Sequence, residues 1–181
     1  MNEKTSASSD QEAALMVRAK AIHASALTLD AHADIEIPGK PSSYVGSDGL
    51  SKVAPQKMRT GGLDAVVMAI AVGPMPRNAE GYAAAKAIAQ TKLEAVKALA
   101  DDKTNNSTIA LNSDELITAH EEGKSALVLG FQNALILGTE LDGINTLFNS
   151  GVRVFALTHM GHNDFADSSR TLFDGDTGTR E

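Results

Sequence analysis

Hydrophobic and polar residues follow two periodicities along this chain, one typical of buried strands and one typical of helices. Residues 63–72 form a continuous apolar run, which indicates a strand buried on both faces of a sheet. Residues 78–100 instead carry apolar side chains at helical spacing, and Asn78 is the expected N-cap. In full, the pattern predicts helices at 11–25, 78–100, 113–122 and 139–150, and strands at 27–32, 63–72, 125–131 and 152–158.

Two long stretches show neither periodicity. Residues 36–62 contain Pro38, Pro41 and Pro55 among scattered Ser, Gly and Lys residues, so they are predicted to form a long loop that ends at the turn residues Gly61 and Gly62. The tail at 160–181 is polar and rich in Asp, and no helix or strand is predicted there.

The order of these elements indicates the fold class. Helices lie between most of the buried strands, which is typical of an α/β protein with a parallel sheet. A doubly wound sheet and a (β/α)8 barrel both fit four predicted strands, and the pattern alone leaves both open.

Candidate chemistry first occurs at the end of the first strand. Side chains alternate across a strand, so Asp30, His32 and Asp34 are predicted to share one face. Zinc accepts His nitrogen and Asp oxygen at similar short distances, so His32 and Asp34 are candidate ligands of one ion. The alternative is that both residues simply close the strand as turn residues.

Further polar side chains follow two later strands. Gln132 and Asn133 come after the third strand and His159 after the fourth. The carboxyl ends of parallel strands share one edge of a sheet, and in a barrel that edge is the rim where active sites lie. Gln132 and Asn133 have an alternative role as bridges between backbone groups of a turn, and His159 as a hydrogen-bonded histidine at a strand end.

The other histidines are predicted to lack a functional role. His162 is expected on the surface of a loop, and His23 and His120 lie on predicted helices without polar neighbours.

Composition restricts the possible classes of partner and metal site. The chain has 181 residues, of which 43% are hydrophobic and 22% charged, so it is long enough for one sizeable core. A net charge of −7 without a Lys/Arg cluster argues against nucleic acid as a partner. There is no Cys, so a metal would be bound by His, Asp, Glu, Asn or Gln. No signal peptide is recognised at the N-terminus.

Four segments in order resemble the membrane (renal-type) dipeptidases, which are metallopeptidases of the amidohydrolase kind. These segments are DAHAD at 30–34, the GG-plus-apolar strand at 61–72, GFQNA at 130–134 and GVRVFALTHMGHNDFADS at 151–168. The resemblance implies a (β/α)8 barrel of the metal-dependent hydrolase type, of which this chain is expected to supply the N-terminal half, with about four strands.

The resemblance also implies roles for individual residues. His32 and Asp34 match zinc ligands of the first strand, and His159 matches a catalytic histidine that contacts the substrate. Gln132 stands where the family has a glutamate that bridges two zinc ions. A neutral amide lacks the charge that offsets repulsion between two cations, so one or two Zn²⁺ ions remain possible. Asn133, next to Gln132, is a further candidate for substrate binding.

A complete barrel needs roughly 250 residues. We therefore expect residues 1–19 to form a polar extension and the start of the first helix, and residues 20–181 to form half of a barrel. The other half is expected as a separate chain of the same protein, or a homodimer covers the open edges. The family is often exported, which favours a periplasmic or membrane-associated location.

The predicted function is zinc-dependent hydrolysis of dipeptides by metal-activated water. The alternative, favoured by Gln132, is a non-catalytic or pathway-tailoring relative that binds a peptide-like ligand.

Overall fold

The computed structural model describes residues 3–35, 39–40 and 42–170. Short 3-10 helices lie at Lys103–Asn105 and Ala134–Leu137. The α-helices are α1 (Glu3–Ser25), α2 (Pro55–Gly61), α3 (Ala79–Asp101), α4 (Ser113–Glu121) and α5 (Gly143–Asn149), and the strands are β1 (Leu29–Asp34), β2 (Ala65–Ala71), β3 (Ser107–Ile109), β4 (Ser125–Gln132) and β5 (Val152–Ala156).

All strand pairs in the sheet are parallel. β2 lies between β1 and β4, and the other edge of β4 pairs first with β3 and then with β5. The longer strands therefore lie side by side in chain order, β1, β2, β4 and β5. This arrangement confirms the α/β class with a parallel sheet.

The core lies between one face of this sheet and α3. On β2, Val66, Met68 and Ile70 are buried on this face, and they pack with the α3 side chains Ala85, Ala89, Leu93 and Val96. Phe131 of β4 meets Phe155 of β5 edge-on, with ring centroids 4.9 Å apart. The opposite face carries smaller side chains, such as Ala65 paired with Ala126 and Ala69 paired with Gly130.

The prediction of a loop over residues 36–62 was wrong for its last third, where the structure forms α2. Pro55 occupies the first turn of this helix, where a missing backbone N–H is not needed. Gly62 ends it with φ 71°, a left-handed conformation that glycine adopts without steric cost. The turn predicted at Gly61 and Gly62 is confirmed at Gly62.

Other differences from the predicted elements are local. β3 was missed because a strand of three residues leaves little hydrophobic pattern. The predicted helix at 139–150 is shorter, since α5 begins at Gly143 and Leu141 is 61% exposed. β5 ends at Ala156, so His159 lies in the loop that follows it. The predicted N-cap Asn78 is confirmed, because its side chain accepts a hydrogen bond from the Gly81 backbone N–H at 2.9 Å.

Leu15, Val17 and Ile22 on α1 are exposed, so this helix adds little to the core. No helix among the described residues has the length and apolar character needed to cross a bilayer.

Three side chains join β1, β2 and α4 at the N-terminal edge of the sheet. The Asp64 carboxylate accepts hydrogen bonds from the backbone N–H and the hydroxyl of Thr28, both at 2.8 Å. Its other oxygen lies 3.0 Å from Nδ1 of His120. His120 therefore has a polar neighbour, contrary to the sequence prediction, because the fold brings the end of α4 beside the residue that precedes β2.

This cluster makes stability depend on pH. Burial acts to raise the pKa of Asp64, but hydrogen bonds from Thr28 and His120 outweigh it and leave the pKa lowered. A lowered pKa means that the carboxylate stabilises the fold above the unfolded-state pKa of about 3.9, and that this stabilisation is lost as the pH falls through the folded-state value.

We expect Asp64→Asn to lower the free energy of unfolding by about 1–3 kcal/mol at pH 7, because it weakens partly buried charge-assisted hydrogen bonds. The gap between the two proteins should narrow below about pH 4, where the native carboxylate is protonated too. Urea denaturation of both proteins across this pH range measures the gap. A gap that stayed constant with pH would contradict this role of the Asp64 charge.

Candidate metal and substrate site

The end of β1 contains a bulge that changes the face of one predicted residue. Asp30 pairs with Val66 and Asp34 pairs with Ala69, so β1 has one more residue than β2 between these pairs. Asp30 therefore shares the face of Val66, on the core side, whereas Asp34 shares the opposite face. The prediction that Asp30, His32 and Asp34 lie on one face was wrong for Asp30, because alternation breaks at a bulge.

The Asp30 side chain has a local structural contact instead. Its Oδ1 accepts a hydrogen bond from the backbone N–H of His32 at 3.0 Å. Such a bond to the backbone two residues ahead is typical of Asp where the chain departs from regular pairing.

His32 and Asp34 do come together. Nε2 of His32 lies 3.8 Å from Oδ1 of Asp34, and the two side chains are 47% and 22% exposed. Both line a cavity of about 280 Å³ beside the end of β1, which Tyr44, Ser51 and Lys52 of the following loop also line. The pair is therefore open to a small ion or ligand.

The Asp34 carboxylate influences two neighbouring groups. Hydrogen bonding to Asp34, together with its negative charge, raises the pKa of the Tyr44 phenol. Burial lowers the pKa of Lys92, and the negative charge of Asp34 opposes that shift. The Lys92 ammonium donates to the backbone oxygen of Ala71, at the end of β2, with a distance of 2.6 Å. The negative charge of Asp34 thus acts on both a phenol and a partly buried cation.

Gln132 is the last residue of β4 and is half-buried. It pairs with Ala71 on one side and Ala156 on the other, on the face opposite the core. Its backbone oxygen accepts a hydrogen bond from Val72 at 3.3 Å, while its side-chain amide makes no hydrogen bond to another described residue. This amide is available to a ligand.

Asn133 differs from its neighbour. It is fully buried and has φ 81°. Its side chain donates to the backbone oxygen of Val72 at 3.3 Å and accepts from the backbone N–H of Leu135 at 3.1 Å. These contacts are those expected for the alternative role as a bridge between backbone groups, while the candidate role in substrate binding stays a prediction.

His159 lies in the loop after β5, and its side chain is exposed. Its backbone oxygen accepts a hydrogen bond from the Ser168 hydroxyl at 2.6 Å. The backbone position of His159 is therefore held within the loop, while the imidazole remains accessible.

Two residues of this loop have roles that sequence reasoning missed. The His162 side chain is only 9% exposed and lies 3.3 Å from Asp167, and its Nδ1 accepts from the Ser168 N–H at 3.0 Å. The prediction of a surface position for His162 was wrong, because the loop folds back on itself. Asn163 is fully buried and donates to the side chain of Asn133 at 3.1 Å. No spacing pattern in the sequence identifies such a contact.

A contact with α3 fixes the same loop from outside. The Tyr82 hydroxyl donates to Asp164 at 2.8 Å. Burial, together with this bond and the charge of Asp164, raises the pKa of Tyr82 to about 12. The loop that carries His159 is thus joined to both β4 and α3.

Among residues 3–35, 39–40 and 42–170, no group of three or more His, Cys, Asp or Glu side chains is placed to hold a metal ion. His32 and Asp34 are a pair of ligands rather than a complete set, and any ion there would need ligands of another type or from elsewhere.

The comparison with protein families explains this combination of features. A model of the membrane dipeptidases (peptidase family M19) matches residues 16–179. The chain belongs to this family. The resemblance noted from the sequence is therefore confirmed. A search of curated proteins gave no match.

Solved structures with the same fold include other members of this family. The chain is 27% identical to the probable dipeptidase PvdM from Pseudomonas aeruginosa, with a TM-score of 0.78 over 90% of this chain. It is 18% identical to a dipeptidase of family M19, with a TM-score of 0.56 over 75% of this chain. It is 16% identical to a metallopeptidase from Rhodobacter sphaeroides bound to a phosphinate mimic of L-Ala-D-Ala, with a TM-score of 0.51 over 69% of this chain.

The M19 chain described here spans less than half the length of these relatives, covering 42%, 45% and 40% of their chains. Its sheet fits the N-terminal half of a (β/α)8 barrel, because β1, β2, β4 and β5 lie side by side in chain order and are all parallel, with β3 as a short additional strand. His32, Asp34, Gln132 and His159 consequently lie at or beyond the C-terminal ends of strands, the face that carries active sites in such barrels.

Proposed function

We propose that this chain carries part of the active site of a zinc-dependent dipeptidase, with His32 and Asp34 as metal ligands and His159 as a catalytic, substrate-contacting residue. Gln132 is proposed as a weaker ligand in place of a bridging carboxylate. The substrates proposed are dipeptides, a class supported by the dipeptide mimic bound to one relative.

The observation that carries this proposal is the separation within the ligand pair. Zn–N and Zn–O bonds of about 2.0–2.2 Å place two ligand atoms about 3.3–3.6 Å apart at a tetrahedral ion. Nε2 of His32 and Oδ1 of Asp34 lie 3.8 Å apart without an ion. A small adjustment of two partly exposed side chains brings them to that distance, so the pair fits zinc.

The register of the sheet supports Gln132 as a third ligand. Asp34 is in register with Ala69, and Ala69 with Gly130, so Gln132 lies two residues further along β4. In an eight-stranded barrel with a shear of eight, the strands tilt, so residues at equal height along the barrel axis are shifted by one residue for each strand crossed. β4 lies two strands from β1, so Gln132 is at the same height as Asp34. The two side chains then belong to one interior layer, to which alternate strands of a barrel contribute.

The chemistry follows from these positions. When bound, zinc supplies a Lewis acid that makes water nucleophilic near neutral pH. His32 and Asp34 hold the ion and leave the cavity beside them open. We assign to His159 a hydrogen bond to the scissile carbonyl oxygen, where negative charge develops as water attacks. Its exposed imidazole, on a loop held by Ser168, is consistent with that task.

Residues 20–181 are proposed to be half of the barrel, and residues 1–19 to precede it. The remaining strands are proposed to come from a separate C-terminal half of the same protein or from a second copy of this chain. An exported or membrane-associated location is proposed from the family alone.

Gln132 supports a second candidate, a relative that binds a peptide-like ligand without hydrolysing it. An amide oxygen binds cations more weakly than a carboxylate and cannot offset the repulsion between two of them. Replacing Gln132 with Glu distinguishes the candidates, because it restores the charge without moving the backbone.

For a dipeptidase limited by its second metal, Gln132→Glu should tighten Zn²⁺ binding by about 10–100-fold, comparable to other changes around metal sites. The rate of L-Ala-D-Ala hydrolysis should rise in parallel. Gln11→Glu makes the same substitution at an exposed position of α1, and it controls for net charge. Zinc affinity is measured by competition with a chelating dye, and hydrolysis by release of free alanine.

Measurable hydrolysis by the natural protein would support the dipeptidase proposal. If the natural protein hydrolyses no dipeptide and Gln132→Glu does, the result would favour a relative that binds a peptide-like ligand without hydrolysing it. Zinc affinity that did not change in Gln132→Glu would contradict the placement of Gln132 at the metal.

A further inference from the structure

His162 is a buried histidine that the proposed mechanism does not use. It follows His159 in the loop after β5, and its side chain is only 9% exposed. Buried polar side chains in folded proteins are hydrogen-bonded to specific partners, and those partners indicate what the side chain does.

The ring of His162 holds the backbone of Ser168. Its Nδ1 accepts a hydrogen bond from the Ser168 N–H at 3.0 Å, a contact shorter than the 3.3 Å between the same nitrogen and the Asp167 carboxylate. A histidine nitrogen accepts such a bond in the neutral ring, with the proton on the other nitrogen. The place of Ser168 is thus set by a side chain from the opposite arm of the loop.

Ser168 in turn holds His159. Its Oγ donates to the backbone oxygen of His159 at 2.6 Å and accepts from the backbone N–H of Arg170 at 3.0 Å. Beside this contact, the backbone N–H of Gly161 donates to the oxygen of Arg170 at 2.8 Å. The loop therefore closes on itself, and two successive hydrogen bonds through Ser168 connect the His162 ring to the His159 peptide.

The segment that carries His162 is itself fixed to the rest of the protein. On one side of it, the Asn163 side chain donates to the backbone oxygen of Leu157 at 2.7 Å. On the other, the Tyr82 hydroxyl of α3 donates to Asp164 at 2.8 Å. The His162 ring therefore projects from an anchored segment and restricts where Ser168 lies.

We propose that His162 is a positioning residue for His159, which it holds through Ser168 in the place from which the imidazole meets the scissile carbonyl oxygen. This inference rests on the proposed function, because it requires His159 to contact the substrate. A donor aimed at a developing oxyanion acts from a fixed position, and a small misplacement of a catalytic group lowers the rate by up to about 100-fold.

Two substitutions of His162 have similar shapes and differ in the acceptor. In His162→Asn, the amide oxygen is as many bonds from the backbone as the histidine Nδ1, so it accepts from the Ser168 N–H. In His162→Leu, a methyl group takes that place and the N–H loses its partner. The matched control is His120→Leu, because His120 also lies beside a carboxylate, that of Asp64 at 3.0 Å, but at the opposite edge of the sheet.

The protein to be assayed contains these residues together with the remaining strands of the barrel. Hydrolysis of L-Ala-D-Ala gives kcat and KM, competition with a chelating dye gives the Zn²⁺ affinity, and thermal unfolding gives the stability of each variant. Ser168→Ala and the double variant His162→Leu/Ser168→Ala show whether the two residues act as one unit.

We expect His162→Leu to lower kcat by about 10–100-fold and to leave KM and the Zn²⁺ affinity unchanged, since the contact with the oxyanion is made in the transition state. His162→Asn should retain most of the natural kcat. Ser168→Ala should lower kcat as much as His162→Leu does, and the double variant no further. His120→Leu should lower the melting temperature without changing kcat.

Equal kcat values of the natural protein and His162→Leu would overturn the role of His162 and leave the proposed dipeptidase intact. Equal losses in His162→Leu and His162→Asn would also overturn it, since the loss would not depend on an acceptor at this place. Losses that multiply in the double variant would overturn the connection through Ser168. If the natural protein hydrolyses no dipeptide, the proposed function itself fails, and the role of His162 with it.

Discussion

Replacing His32 with alanine is expected to reduce dipeptide hydrolysis by more than about 100-fold, beyond the 10–100-fold effect of losing a residue that only supports a ligand. The protein to be assayed contains these residues together with the remaining strands of the barrel. His32 supplies the nitrogen of a pair whose other member, Asp34, lies 3.8 Å away. Without that nitrogen, the proposed ligands that remain on this half of the barrel are the carboxylate of Asp34 and the amide of Gln132.

The matched control for this experiment is His23→Ala. His23 lies on α1 against Gly62, which precedes β2, and hence at the opposite end of the sheet from His32. Hydrolysis of L-Ala-D-Ala and zinc content are measured for all three proteins. Retained hydrolysis in a His32→Ala protein free of metal would contradict the assignment of His32.

Replacing Asn133 with alanine is expected to lower the free energy of unfolding by about 3–4 kcal/mol. The buried backbone groups of Val72 and Leu135 would lose their partner, at about 1–3 kcal/mol for each group left unsatisfied. In addition, Asn133 has φ 81°, where a side chain larger than hydrogen is strained and alanine lacks the local hydrogen bonds that favour asparagine.

Asn133→Gly separates these two contributions. It loses the same side-chain hydrogen bonds but adopts the positive φ freely, so we expect it to be about 1 kcal/mol more stable than Asn133→Ala. Urea denaturation of the three proteins measures both differences. A free energy of unfolding for Asn133→Ala that lies within about 1 kcal/mol of that of the natural protein would contradict a structural role for this buried amide.

Elements with a strong local signal were predictable from the sequence. The apolar run at 63–72 contains β2, and the helix after Asn78 begins where its cap is expected. The pairing of His32 with Asp34 followed from their spacing, because side chains two residues apart on a strand share a face. Each of these features depends on neighbours in sequence.

Features that depend on distant residues were missed or misjudged. The face of Asp30 depends on a bulge that only strand pairing reveals. The burial of His162 and Asn163 depends on a loop that folds back towards β4 and α3. His120 meets Asp64 across 56 positions of the chain, a separation over which no periodicity extends. Tertiary packing sets all of these, and a single sequence does not encode it in any local pattern.

Family membership makes a metal site the expectation for this region, while the described residues offer only a pair of typical ligands. Under the proposed function, Gln132 is the residue that would distinguish an active dipeptidase from a binding relative, since its neutral amide would limit how much positive charge the site tolerates. Both proposals, the dipeptidase and the binding relative, depend on the pair His32 and Asp34 at the end of β1.

The most direct test of that pair is a crystal structure of the protein grown with Zn²⁺, with diffraction recorded on both sides of the zinc absorption edge. We predict an anomalous peak about 2.0–2.2 Å from Nε2 of His32 and from one carboxylate oxygen of Asp34. A peak confined to another site, such as His162 and Asp167, or no peak beside His32, would contradict the metal site proposed at the end of β1.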